Sequence, residues 1–82
     1  MYEKINQPIE VLVFFKGTKI QPLYFKHRNK KYKIEKLNLI HYQKNGQGKI
    51  YYFNVTDKTT YFKLSFNTNN LQWRLEEMYC EG

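Results

Sequence analysis

The side chains that could do chemistry in this chain are mainly cationic, and they crowd into one segment. Residues 21–42 carry aromatic and aliphatic runs on both sides of a basic centre, in which Glu35 is the one acid. The cations of this centre are Lys26, Arg28, Lys30, Lys31, Lys33 and Lys36. Lysine and arginine side chains that lie close together on a surface neutralise phosphate groups. The segment therefore predicts an anion-binding surface.

Groups for covalent or metal chemistry are scarce by comparison. Ser65 is the sole serine, and no histidine lies near it in the sequence to serve as its base. Cys80 is the sole cysteine, and its distance in the sequence from His27 and His41 gives no metal-ligand spacing. We therefore predict a protein that is not an enzyme and that uses no cofactor and no metal.

A β-hairpin is the element that we expect to position the cations. If Asn29-Lys30 is its tip, or if His27 and Tyr32 bracket a four-residue turn, the same residues lie opposite each other. The predicted pairs are Phe25 with Ile34, Lys26 with Lys33, His27 with Tyr32, and Arg28 with Lys31. One face of the hairpin is then cationic and the other is aromatic and aliphatic. Like charges directly opposite each other destabilise a strand pair, and a bound anion would relieve their repulsion.

The predicted binding residues follow from this cationic face. The hairpin cations would bind phosphates, and Tyr24, which shares their face, would stack on a base. The predicted site consists of Tyr24, Lys26, Arg28, Lys30, Lys31 and Lys33. The exposed member of the pair Tyr51 and Tyr52 is a second candidate for stacking. The alternative is that the lysines only keep a small sheet soluble and monomeric, while tyrosine rings fill the boundary of its core.

Length and charge limit the class of protein. The 82 residues form one small domain, and the formal net charge is +7. The charge is uneven, because residues 16–49 contain ten lysines and arginines and a single acid, whereas residues 50–82 contain three basic and four acidic residues. A molecule with one basic half suits a polyphosphate partner.

Cysteine usage and hydropathy indicate the cellular compartment. A lone cysteine forms no intramolecular disulfide, which favours a reducing compartment. No apolar signal-type run follows Met1, and the longest apolar run, Val11 to Phe15, is too short to cross a bilayer. We expect a soluble cytoplasmic protein, monomeric or homodimeric, with no membrane partner.

Short apolar runs separated by turn residues predict an all-β fold. Residues 1–8 are expected to be a polar lead-in to a single domain of residues 9–82. The six predicted strands are residues 9–15, 19–27, 31–43, 49–56, 59–66 and 71–79. We expect a bulge or kink at Pro22, a bend near Glu35-Lys36, and a buried Trp73 on one face with Leu71 and Leu75. Such an antiparallel meander curls into a small SH3-like barrel or a rolled sheet.

The aromatic strand positions carry a family resemblance. They are YKI at 32–34, YFNV at 52–55, YFKL at 61–64 and WRLEEMY at 73–79. In these positions the chain resembles a family of short bacterial proteins of unknown function that occur alongside translesion (Y-family) DNA polymerases and DNA-repair proteins. The resemblance covers about residues 21–79 and implies an accessory role related to nucleic acids.

Two functions are therefore expected from the sequence. The first is a small binding module for nucleic acid that acts through the basic hairpin face, as an accessory to DNA repair or replication. The second is a protein-interaction domain that binds a polypeptide through its strand edges and exposed tyrosines. Sensitivity of binding to salt separates the two, because only the first depends on phosphate contacts.

Overall fold

The structure is a computed structural model that describes residues 1–80, apart from the side chain of Leu39. Its strands are β1 (Tyr2–Lys16), β2 (Lys19–His27), β3 (Lys30–Lys33), β4 (Lys36–Asn45), β5 (Gly48–Thr56), β6 (Thr60–Asn67) and β7 (Gln72–Cys80). They form one sheet in the order β3-β2-β1-β7-β6-β5-β4, and all neighbours are antiparallel. The predicted all-β, antiparallel fold is confirmed. Within the described residues, no helix is long and apolar enough to cross a membrane.

The strand count differs from the predicted six because two long segments each divide into two parts, and the two parts pair with different strands. In β1, Tyr2 to Ile9 pair with β7, whereas Glu10 to Lys16 pair with β2. Asn6 has a φ of 53°, and the register of β1 against β7 shifts beside it. The seven strands therefore comprise eight paired segments when the two halves of β1 are counted separately.

Residues 30–45 are the second segment of this kind, and they explain how the sheet curls. β3 and β4 lie at opposite ends of the sheet, yet only two residues separate them. The Ile34 N–H donates to the Leu23 carbonyl of β2 at 2.9 Å, and the next N–H, of Glu35, donates to the Thr56 carbonyl of β5 at 2.8 Å. Because adjacent residues bond to both ends of the sheet, those ends must come together at this corner. The sheet is thus a half-closed barrel, and the predicted bend is confirmed.

The core lies inside the curled sheet. The buried apolar side chains are Phe25, Phe53, Val55, Phe62, Leu64, Phe66, Trp73 and Leu75. Phe25 of β2 and Tyr32 of β3 both meet Phe62 of β6, with ring centroids 4.9 and 5.1 Å from that ring. These contacts cross the interior between β2 and β3 on one side and β6, which is not their neighbour in the sheet, on the other. Aromatic pairs in edge-on geometry such as these stabilise a core beyond their buried area.

The register of the β2–β3 hairpin differs from the predicted register by two residues. Arg28 and Asn29 form the turn, with φ values of 52° and 63°, so the tip lies one residue earlier than predicted. The observed pairs are Tyr24 with Lys33, Phe25 with Tyr32, Lys26 with Lys31, and His27 with Lys30. Positive φ at both turn residues is the geometry of a two-residue type I′ turn, which matches the twist of the strands. A slip of two residues preserves the faces, so Lys26, Lys31 and Lys33 still share one face.

Three other expectations have different outcomes. The segment 1–8 is not a lead-in, because Tyr2 to Pro8 belong to β1 and pair with β7. Leu71 is not on the buried face: it lies in the β6–β7 turn with a φ of 60° and is 73% exposed. The irregularity at Pro22 is confirmed, because Leu12 and Val13 pair with Tyr24 and Pro22, which leaves one β2 residue bulged.

Candidate nucleic-acid interface

Four of the six predicted site residues lie together on the outer face of the β2–β3 hairpin. We call Tyr24, Lys26, Lys31 and Lys33 the lysine face. Lys26 lies directly opposite Lys31, and Tyr24 lies directly opposite Lys33. The three lysines are exposed and Tyr24 is half-buried. The face therefore presents three cations and one aromatic ring to solvent.

The charges around this face are unbalanced towards cations. Lys26 stands between Lys31 on β3 and Glu10 on β1, which lie opposite it on its two sides. A directly opposed pair of like charges costs some tenths of a kcal/mol, and Glu10 offsets part of that cost. An anion that bridges Lys26 and Lys31 would remove the rest.

A shallow cavity opens on the lysine face. Its volume is about 270 Å³, and its lining includes Glu10, Leu12, Tyr24, Lys26 and Lys31. The Lys31 Nζ lies 4.6 Å from the centroid of the Tyr24 ring, in cation–π geometry. A planar ligand that stacks on Tyr24 would have to displace this ammonium group, which could then meet a phosphate.

The other two predicted residues are placed differently. Arg28 lies at the tip of the β2–β3 turn, beyond the lysine face. Lys30 lies opposite His27 and shares the inward parity of that residue, with its Nζ 5.1 Å from the Tyr32 ring centroid. These two cations border the lysine face and do not belong to it.

A basic pocket of about 260 Å³ lies at the edge of β3, and it adds a cation that sequence reasoning missed. Lys58, from the β5–β6 turn, lines it together with Lys30, Lys31, Tyr32, Lys33, Glu35 and Asp57. The Asp57 carboxylate accepts the N–H groups of Thr59 and Thr60 at 2.9 and 2.8 Å, which fixes this turn. Lys58 was missed because only the corner at Glu35 brings the β5–β6 turn beside β3.

The second predicted stacking residue is Tyr52, and its ring already has two close neighbours. Tyr51 points inward and packs against the core, which leaves Tyr52 on the outer face. The His41 ring stacks on Tyr52 with centroids 5.0 Å apart, and the Lys63 Nζ lies 5.0 Å from the Tyr52 centroid. Tyr52 is therefore a weaker stacking platform than Tyr24.

A second outer groove is lined by tyrosines. Tyr2, Tyr79 and Tyr61 lie opposite one another across β1, β7 and β6, and each is about half exposed. They border a cavity of about 440 Å³, together with Lys63 and Glu77. Amphipathic rings in a groove of mixed charge suit a polypeptide better than a polyphosphate.

The groups considered for catalysis take structural roles. The Ser65 Oγ donates to the Glu76 carboxylate at 2.6 Å, and the His27 Nε2 lies 2.8 Å from the Gln7 Oε1. Because an amide oxygen only accepts, His27 must donate from Nε2. Burial, with a smaller effect from the Arg28 guanidinium, lowers the pKa of His27, and the Glu3 carboxylate opposes this shift. In residues 1–80, no three histidine, cysteine or acidic side chains are grouped as metal ligands.

Comparisons of the chain with protein-family models, with curated proteins and with solved structures found no match.

Proposed function

We propose that this protein is a small, non-enzymatic module that binds nucleic acid through the lysine face. Lys26, Lys31 and Lys33 hold backbone phosphates, and a base stacks beside Tyr24. An accessory role in DNA repair or replication, which the family resemblance implies, is part of this proposal.

The observation that carries the proposal is the direct opposition of Lys26 and Lys31 next to an accessible tyrosine ring. Cations that follow a backbone beside an aromatic ring are the usual means of binding nucleic acid without sequence preference. Lysine pairs also close the β1–β2 and β4–β5 hairpins, where Lys16 lies opposite Lys19 and Lys44 lies opposite Lys49. Only the β2–β3 hairpin adds Arg28, Lys30 and Lys58 beside its pair.

The test reverses two charges on the lysine face and compares them with a matched pair elsewhere. Lys26→Glu with Lys31→Glu should weaken binding of a labelled oligonucleotide more than about tenfold, because two phosphate contacts become repulsions. The control is Lys44→Glu with Lys49→Glu, which changes the net charge equally at another directly opposed lysine pair. Fluorescence anisotropy measures both affinities, and circular dichroism checks both folds.

Equal losses in the two double variants would contradict the proposal, because binding would then not depend on the lysine face in particular. Tyr24→Leu supplies the aromatic test. It should weaken binding to a single strand about fivefold or more, as expected when one stacking contact worth about 1 kcal/mol or more is lost.

A second candidate function rests on the row of exposed tyrosines. In this alternative, the groove beside Tyr61 and Tyr79 and the free strand edges recruit a polypeptide partner. Replacing both tyrosines with serine would then abolish capture of that partner while oligonucleotide affinity stays unchanged. Binding that is insensitive to salt would favour this function over the first.

A further inference from the structure

The second half of β1 has one free edge. Residues 10–16 pair with β2 on one side, but the pairs with β7 on the other side end at Ile9 and Trp73. No other strand of the described residues pairs with that edge. The edge therefore offers a row of backbone N–H and C=O groups to another strand.

The same segment exposes large apolar side chains. Leu12, Phe14 and Phe15 are 59%, 51% and 53% exposed. Free edges in natural proteins are usually protected by charges, prolines or bulges. Residues 11–15 contain no charge and no proline, and the bulge of this hairpin lies on β2. An edge of this composition is a surface for pairing with another strand.

We propose that this edge pairs with the same edge of a second copy of the chain, as an antiparallel homodimer with its two-fold axis at Phe14. Phe14 then lies opposite Phe14 of the partner subunit, and Val13 lies opposite Phe15 of the partner subunit. Residues 12–16 pair in each copy. The interface is isologous, as in most soluble dimers.

The position of β7 limits this register. Gln72 precedes Trp73 and reaches the level of Glu10, so the free edge begins after Glu10. A two-fold axis perpendicular to the sheet pairs residues of the same face. Along β1 from Glu10 towards Lys16, Phe14 is the first position at which such an axis keeps the paired segment, residues 12–16, clear of Gln72.

Charge complementarity supports a second copy as the occupant. In this register Lys16 of the partner subunit lies opposite Leu12, one diagonal step from Glu10. Diagonal neighbours on one face of a sheet are about 7 to 8 Å apart, within the reach of a lysine side chain. Glu10 already lies opposite Lys26, so in the dimer it faces two cations, and it offsets the repulsion that Lys16 meets from Lys19 opposite it in each copy.

Disulfide cross-linking tests the register. In a Cys80→Ser background, Phe14→Cys should form a covalent dimer under mild oxidation, because opposed residues of antiparallel strands have Cα atoms about 4.5 to 5.5 Å apart. Leu12→Cys is the control, since it is equally exposed on the same face but lies opposite Lys16 of the partner subunit. Equal or greater cross-linking of Leu12→Cys would overturn the register.

Sedimentation measures the dimer itself. The unaltered protein should show a reversible monomer–dimer equilibrium, and Phe14→Lys should raise the dissociation constant at least about tenfold by opposing two ammonium groups. Tyr61→Lys is the matched control, because Tyr61 is 50% exposed and lies on β6. A protein that stays monomeric up to its solubility limit, or a Tyr61→Lys variant that dissociates as readily, would overturn the dimer.

Discussion

Trp73 of β7 packs against core rings of β6 and β5, the next two strands of the sheet. Its ring lies 4.7 Å from that of Phe66 and 5.3 Å from that of Phe53, and it is 7% exposed. Trp73→Ala should lower the free energy of unfolding by about 3 to 5 kcal/mol, because the cavity that it leaves is only partly filled by relaxation. That loss is comparable to the whole stability of many small domains. Urea unfolding followed by circular dichroism measures it.

Leu71 gives the matched comparison for this prediction. It lies two residues before Trp73 but is largely exposed in the β6–β7 turn. Leu71→Ala should change the free energy of unfolding by less than about 1 kcal/mol, as expected for an exposed site. If Leu71→Ala lowered the free energy of unfolding more than Trp73→Ala does, the assignment of Trp73 to the core would be wrong.

His27 makes stability depend on pH. Burial lowers the pKa of His27 below its ordinary value of 6.5 in the folded protein. The unfolded chain therefore takes up the proton first, so the free energy of unfolding should fall as the pH drops below about 6.5, by at most about 1.4 kcal/mol per pH unit. Urea unfolding between about pH 8 and pH 5 measures this slope.

One variant assigns that slope to a residue. His27→Gln should flatten it, because it removes the side chain whose protonation differs between the folded and unfolded states. If the slope persists in His27→Gln, another group carries the pH dependence.

For single residues, the sequence predicted the face of a strand on which a side chain lies better than it predicted the contacts of that side chain. Period-two alternation placed Trp73 and Leu75 on one face, and both are buried. Alternation could not show that Leu71 lies outside its strand, because positive φ at a leucine is not a preference that sequence reveals. Nor could it reveal Gln7 as the partner of His27, since β1 brings that residue over from distant sequence.

Among the elements, the β2–β3 turn is one whose sequence fits its backbone poorly. Arg28 and Asn29 both have positive φ, and a left-handed conformation costs a residue with an ordinary side chain about 1 to 2 kcal/mol. Arg28→Asn with Asn29→Gly creates the preferred type I′ pair and should raise the free energy of unfolding by about 1 kcal/mol. Thermal unfolding followed by circular dichroism measures the change.

Gly46, in the β4–β5 turn, allows the opposite substitution, which removes a residue that favours positive φ. Its φ is 64°, and an added Cβ would meet no atom within 4 Å, so Gly46→Ala tests backbone strain alone. It should lower the free energy of unfolding by about 1 kcal/mol. If the variant with Arg28→Asn and Asn29→Gly were less stable than the unaltered protein, the type I′ assignment of the β2–β3 turn would be wrong.

The predicted elements match the structure where turn chemistry is strong. Asn45 to Gly48 joins β4 to β5 as Asn-Gly predicts, and Asp57 begins the β5–β6 turn. The prediction failed at residues 1–8 because most of their side chains are polar and exposed, although Ile5 packs on the core. The tip of the β2–β3 hairpin was misplaced because Arg28 carries no turn signal.

For the whole molecule, the proposed dimer would enlarge the surface that is proposed to bind nucleic acid. Pairing at Phe14 extends β3-β2-β1 of one copy into the same strands of the other, and a perpendicular axis keeps the outer faces on one side. The lysine faces of both copies would then line one surface. Uneven charge along the sequence predicted such a basic half, but the fold alone brings Lys58 to it.

Salt dependence is the property of the whole molecule that tests its proposed function. The lysine face offers three phosphate contacts, so the logarithm of the binding constant should fall against the logarithm of salt concentration with a slope of about −3 on duplex and about −2 on single strand. Anisotropy titrations over a range of sodium chloride concentrations measure it. Lys26→Glu with Lys31→Glu should make the slope shallower by about 2, because each phosphate contact contributes about 0.9 on duplex. Lys44→Glu with Lys49→Glu should leave it unchanged. A flat slope in the unaltered protein would remove the lysine face as the binding site and favour the tyrosine groove.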